Sequence, residues 1–159
     1  MLLHTAEYWM DSLKLEPHPE GGFFREVYRS GDSTSIYFLL AGDEFSAFHR
    51  LRKDEIWHFY DGSPLLVHTL TADGKHKMRR LHNNMEKNTS PQITIPRKTW
   101  LAGEVEKAAG YSLIGCTMAP AFNYDDFELG DESSLVKLYP RHKKLIQRLT
   151  RQIHVVLQD

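Results

Sequence analysis

One cysteine in 159 residues rules out an internal disulfide, so packing alone must hold the fold, as suits a reducing compartment. No apolar run approaches the roughly 20 residues that a membrane helix needs. An excess of either charge is missing too. Lys and Arg number 20 against 21 Asp and Glu, a formal net charge of −1, which leaves no electrostatic footprint for nucleic acid. The one basic run, Arg141 to Arg151, reads as the solvated face of a helix. No basic and apolar leader follows Met1. A cytoplasmic protein without membrane or nucleic-acid partners is expected. Internal repeats and low-complexity tracts are absent, and the length suits one domain over residues 1–159.

What the chain does have is a series of short β-branched and aromatic segments separated by Gly, Pro and Asp turns. Phe23 to Arg29, Ser35 to Leu40, Phe45 to Leu51, Leu65 to Thr71 and Tyr111 to Met118 read as strands. Such spacing predicts an all-β sandwich or barrel over about residues 20–130. Thr5 predicts the cap of a short helix, which Pro17 and Pro19 stop. Pro140 predicts the first turn of a terminal helix over about 140–151, with Leu145, Ile146 and Leu149 as its apolar stripe. Periodicity leaves open whether residues 152–159 extend that helix or form a strand. Lys75 to Leu81 is polar enough for an edge strand.

The informative stretch is Phe48 to Gly62, FHRLRKDEIWHFYDG. Strand-like segments flank a charged turn at Arg52, Lys53 and Asp54. Residues two apart on a strand share a face, so His49 and Leu51 point one way, and Glu55, Trp57 and Phe59 point one way together. If those faces meet, a histidine and a carboxylate lie among aromatic walls, as in a small-molecule pocket.

This spacing resembles the first motif of the cupin superfamily, G-x5-H-x-H-x3-4-E-x6-G. His49, Leu51, Glu55 and Gly62 fall on its two His, its Glu and its closing Gly, and Gly42 lies one residue farther upstream than the pattern. ITIPRKTWLAG is similar to the second motif, with Pro96 on its proline, Lys98 on a Gly and Leu101 on its His. HPEGGFFREVYRS, DEIWHFYDG and GYSLIGCTMAPAFNYDDFEL extend the resemblance, from about Leu13 to Leu129, to a family of small single-domain cupins of unassigned role. The resemblance implies a jelly-roll barrel (RmlC-like, a double-stranded β-helix) and a homodimer. It implies no particular reaction.

Cupins often hold a metal with three His and one Glu. Here Leu51 and Leu101 stand at two of those positions, and leucine offers no lone pair. No tightly bound cofactor is therefore expected. His49 and Glu55 would be the donors if any ion bound, a loosely held divalent ion remains compatible with them, and His58 is a further candidate only if a bulge turns it inward. His49 and Glu55 are the candidate catalytic residues, a pair able to move a proton. Glu26, Tyr37, Trp57, Phe59 and Trp100 are candidate pocket residues. Arg25 and Arg29 share a strand face, suited to clamping an anion or to pairing with the acidic 125–128 segment across a dimer, with Glu26 pointing oppositely. His18, in a proline turn, reads as structural, and Cys116 as a packed thiol. The other histidines, including His68, His76, His82, His142 and His154, show no ligand spacing.

Three readings stand. One is a metal-independent isomerase or epimerase acting on a sugar or nucleotide derivative. The metal-free sugar-nucleotide epimerases of this superfamily, in which a barrel histidine is the base, are similar in shape only. The second is a non-catalytic module binding a small polar metabolite, and the third a metal-dependent cupin oxygenase. A homodimer is expected, with an N-terminal strand adding to the partner's sheet. Sedimentation equilibrium at micromolar concentration should give twice the chain mass, and a monomer would remove that expectation.

Overall fold

The computed structural model describes residues 4–151. Residues 152–159, for which periodicity leaves helix or strand open, lie outside them, His154 included. The chain forms α1 (Ala6–Leu13), β1 (Glu16–Pro17), β2 (Phe23–Arg29), β3 (Thr34–Ala41), β4 (Phe45–Leu51), β5 (Glu55–Gly62), β6 (Leu65–Leu70) and β7 (His76–Leu81). There follow β8 (Thr89–Ser90), β9 (Gln92–Ile95), β10 (Trp100–Val105), β11 (Tyr111–Met118), β12 (Phe127–Leu129), α2 (Glu132–Leu138) and α3 (Lys143–Arg148). Two six-stranded sheets result, ordered β1-β2-β3-β11-β5-β9 and β12-β4-β10-β6-β7-β8. Both are antiparallel except for the short β7–β8 contact. This is a cupin-like jelly roll.

Between the sheets lies the principal core, in which Phe38, Leu40, Trp57, Leu101 and Ile114 are among the buried side chains. At about 25 cal/mol per Å² of apolar area, such burial is the main stabilising term. β11 sits at the centre of the first sheet, bonded to β3 on one side and β5 on the other. Nearly every residue along it is buried, which is why it reads as a continuous apolar run rather than an alternation.

Local chemistry fixes the turns that aim the central strands. Gly62 has φ +100°, and a Cβ there would run into the carbonyl oxygen of Tyr111. Only glycine suits that close approach. Lys98, on the position where cupins carry Gly, keeps the left-handed conformation at φ 64°. Its amide N–H donates to Leu51 O at 2.7 Å, tying this turn to the end of β4.

The helical ends differ from the sequence expectation. Thr5 Oγ1 accepts the Tyr8 N–H at 3.1 Å, as a cap should. However, α1 ends at Lys14, which is left-handed and whose N–H returns to the last turn, rather than at Pro17. The terminal helix is broken: α2 stops before Pro140, which lacks an N–H to continue it, and a 3₁₀ turn (Pro140–His142) leads into α3. Ile146 and Leu149 are buried with Phe48, Leu70 and Trp100 in a second core outside the second sheet, and Leu145 packs against it. β12 lies in the acidic and aromatic 120–130 segment, which has no sustained strand-like alternation. It pairs with β4, placing Leu129 opposite His49.

Candidate functional site

The cavity opens between the sheets and occupies ≈ 140 Å³. β4 supplies His49 and Leu51, β5 supplies Glu55 and Trp57, and β11 supplies Cys116 and Met118. The remaining walls come from β2, β3, the His18–Glu20 turn and the Phe122–Phe127 segment. Its lining is mostly apolar and aromatic, with a few polar groups among them, the usual make-up of a small-molecule site.

His49 is buried. Its Nδ1 lies 2.7 Å from Ala47 O, and a carbonyl only accepts, so Nδ1 carries the proton and Nε2 keeps its lone pair. The ring stacks on Phe127, 5.3 Å between centroids, which fixes its plane. Burial lowers its pKa, partly offset by the bond to Ala47. A neutral base therefore faces the cavity at neutral pH.

Glu55 is equally buried. Loss of hydration pushes its pKa up to about 7, against smaller opposing effects of the neighbouring Trp57 indole and Cys116 thiol. Those neighbours do not complete its hydrogen bonding, since Glu55 Oε2 and Trp57 Nε1 are both buried without partners. An unsatisfied buried carboxylate oxygen is costly, and here it stands in the wall of a cavity. Cys116 is buried, and burial and Glu55 hold its pKa well above the usual thiol range, so the thiol stays protonated at neutral pH.

The two central residues share the cavity without a hydrogen bond between them: His49 is tied to Ala47, and Glu55 is shifted by burial. Glu26 and Trp57 also line it. Three candidates do not. Tyr37 lies on the outer side of the first sheet, edge-on to Tyr60 at 5.8 Å. Phe59 packs against the core and His82 at the other end of the barrel. Trp100 is buried in the outer core beneath Arg50, whose guanidinium lies 4.6 Å from the ring. In each case strand position was known but distance along the barrel, or the side chosen, was not.

Glu26 and Arg29 require a further correction. The register shifts between Glu26 and Tyr28, which brings Glu26 and Arg29 to the same side. Arg29 Nε and one terminal nitrogen donate to the two Glu26 oxygens at 2.7 and 2.8 Å, and the other donates to Phe122 O at 3.0 Å. Arg25 instead donates to Leu13 O. The acidic 125–128 segment is paired within the chain, Asp126 with Lys53 at 2.8 Å and Glu128 with Arg50 at 2.7 Å. No arginine clamp for an anion results.

Metal fit can be judged from the donors present. Leu101 lies directly opposite His49 and Leu51 shares its face, so the cupin ligand positions converge, yet two of them bear leucine. His58 faces away, its Nε2 3.2 Å from Thr117 Oγ1. His68 and His76 are brought within 2.9 Å, with Glu104 beside His68, but they tie β6 to β7 away from the cavity. No set of three or more His, Cys, Asp or Glu placed to hold an ion occurs among the described residues. The donor set does not fit the superfamily's four-ligand metal.

A family profile described as "Cupin superfamily (DUF985)" matches residues 7–130. The chain belongs to the cupin superfamily. The crystal structure of protein SO0799 from Shewanella oneidensis is similar with TM-score 0.88 and 36% identity, covering 94% of this chain and 99% of that one. A hypothetical protein from Leishmania major gives TM-score 0.87 and 31% identity over 94% and 100% of the two chains. KdgF from Halomonas sp., at TM-score 0.52 and 14% identity over 69% and 87%, shares the cupin fold alone. No functionally curated protein matches this sequence.

Two predictions follow from this cupin's interior. Glu55 is protonated more readily folded than unfolded, so between pH 4.5 and about 7 the native state holds the extra proton and wild-type stability falls as pH rises. Glu55→Gln removes that slope. Its stability relative to wild type should rise across this window, by at most about 3 kcal/mol, and stay level above it. Urea denaturation at pH 4, 6 and 8 measures this, and parallel curves would contradict it. For the metal, dialysis against chelator should leave the wild-type melting temperature unchanged. Leu51→His combined with Leu101→His should create zinc-dependent stability, about 2.7 kcal/mol at 100 times the dissociation constant. A wild-type melting temperature lowered by chelator would contradict the donor argument.

Proposed function

We propose that this cupin is a metal-independent isomerase or epimerase acting on a small polar metabolite, such as a sugar or nucleotide derivative, with His49 as base and Glu55 as acid. One observation carries the reading: a neutral imidazole with its lone pair free shares a largely apolar cavity with a carboxyl group whose pKa is pushed up to about 7. A general acid works best when its pKa lies near the operating pH, as that of Glu55 does.

His49 Nε2 takes a proton from the carbon next to a substrate carbonyl. The C–H electron pair moves into the carbon–carbon bond as the carbonyl π pair moves to oxygen, which receives the proton of Glu55. The intermediate is an enediol, and the enzyme is left with His49 protonated and Glu55 ionised. Their opposite charges attract each other more in a buried, largely apolar site than they would in water. Isomerisation follows when His49 returns its proton to the former carbonyl carbon while the other enediol hydroxyl gives its proton to Glu55. Epimerisation follows when the enediol turns its other face to His49, which returns the proton to the same carbon while the new hydroxyl restores the proton of Glu55. Trp57 would offer an apolar wall against the substrate's carbon face.

The second reading is a non-catalytic module holding its ligand in the same cavity. The unpartnered Glu55 Oε2 favours it as much as catalysis, since a bound hydroxyl would satisfy that atom. Incubation with neutral aldoses and ketoses in heavy water, followed by proton NMR, separates the two. Loss of the signal from the hydrogen next to the carbonyl, faster than without protein and abolished in His49→Asn, is the expected result. Ligands that bind without exchange would leave only the binding module.

A further inference from the structure

The His18–Glu20 turn forms one wall of the cavity, although His18 reads from sequence as a structural residue. Its geometry is as constrained as that of His49. The Glu20 amide N–H donates to His18 Nδ1 at 3.0 Å, so Nδ1 is an acceptor without a proton and Nε2 carries the hydrogen. Edge-on contacts with Phe24 and Phe38, 4.7 and 5.5 Å between centroids, hold the ring. Two backbone bonds, His18 N–H to Gly22 O and Gly21 N–H to His18 O, close the turn beneath it. Among the described residues no acceptor takes up the Nε2–H.

His18 and His49 are therefore set in opposite tautomers by the backbone, one offering an N–H and the other a lone pair. Burial, with a smaller effect from His49, lowers the His18 pKa to about 4, so the donor is uncharged at neutral pH. The rest of the lining is poor in free positive charge. Arg29 is the one Lys or Arg in the described lining; three of its five N–H groups donate to Glu26 and Phe122 O, and the Glu26 carboxylate pairs its charge. Glu20, Glu26 and Glu55 also line the cavity. A phosphate or carboxylate entering here would lose its hydration and meet no free cation.

We infer that His18 is a ligand-binding residue and that the cavity selects an uncharged hydroxycarbonyl or polyhydroxy compound, His18 Nε2–H donating to one of its oxygens while His49 Nε2 faces a neighbouring hydroxyl or C–H. This rests on the cavity being the functional site, and it narrows the substrate class to molecules free of phosphate and carboxylate. The His18 N–H also precludes a third metal donor, since with Nδ1 already accepting, a lone pair at Nε2 would require the imidazolate.

The test uses the full chain at pH 7 and two matched probe pairs, dihydroxyacetone with its phosphate and D-ribose with D-ribose 5-phosphate, titrated by amide chemical-shift changes. The neutral member of each pair should bind at least about 10-fold tighter, and His18→Phe should weaken it by about 10-fold while His18→Gln, which keeps an N–H donor, stays within about 3-fold. Tighter phosphate binding, absence of neutral binding, or indifference to His18→Phe overturns the inference. Long-range proton–nitrogen correlation on the wild type should show His18 as the Nε2–H tautomer and His49 as the Nδ1–H tautomer. A charged His18, or the reverse tautomer, overturns the inference even if the variants fail to fold. His18-dependent binding without deuterium exchange would leave this inference standing and remove the catalytic reading. Exchange that is abolished by His49→Asn but indifferent to His18→Phe would do the converse.

Discussion

A β-strand can show only every second side chain to one side of its sheet, and the cavity depends on that constraint. Register decides which residues face inward. β10 sets Leu101 against His49, and β11 sets Met118 against Glu55 and Cys116 against Trp57. A slip of one residue in β4 would carry His49 and Leu51 out of the barrel together and bring Arg50 in. Packing forbids such a slip, because Phe48 and Ala47 are then misplaced as well, and both are buried. The barrel core and the reactive side chains are thus specified by the same pairing.

Given that register, burial does most of the chemical work. His49 and Glu55 are shifted by loss of water, in opposite senses of charge but to the same end, since each is favoured in its neutral form. A neutral base and a nearly neutral acid can coexist in a cavity of aromatic walls, where two fixed charges would be costly. The fixed charges lie elsewhere, paired as Glu26–Arg29, Lys53–Asp126 and Arg50–Glu128. Those pairs are partly exposed and contribute little each to stability. Of these, Glu26–Arg29 bears on what the cavity admits, since it pairs the one Lys or Arg in the described lining.

Aromatic side chains hold the planes of both imidazoles, and backbone atoms set their tautomers. Ala47 O holds the proton of one, and the Glu20 N–H fills the lone pair of the other. Such partners cannot rotate away, and they fix tautomers without adding charge, so the polarity of the site is built into the turns and strands themselves. The leucines at the superfamily's ligand positions fit the same pattern, since both are buried and put apolar side chains where ion ligands would otherwise stand.

Much of this was legible in the sequence. Turn residues and alternating strands gave the all-β class. The spacing of His49, Leu51, Glu55 and Gly62 gave the cupin resemblance, and two-residue periodicity put His49 with Leu51 and Glu55 with Trp57. Those are local properties, fixed by the pleat within one or two strands. Other features depend on atoms far apart in the chain. The bulge that turns Glu26 toward Arg29 is invisible in a list of residues, and so is the choice of Trp57 over Trp100 and Phe59 as a wall, because period two does not say which sheet side or which end of the barrel a residue occupies. The partnering of Asp126 and Glu128 within the chain, and the approach of the His18 turn to His49 across 31 residues of sequence, required the sheets to close on each other. Sequence spacing fixed which residues could share a face, and only the packing of two sheets decided which faces meet.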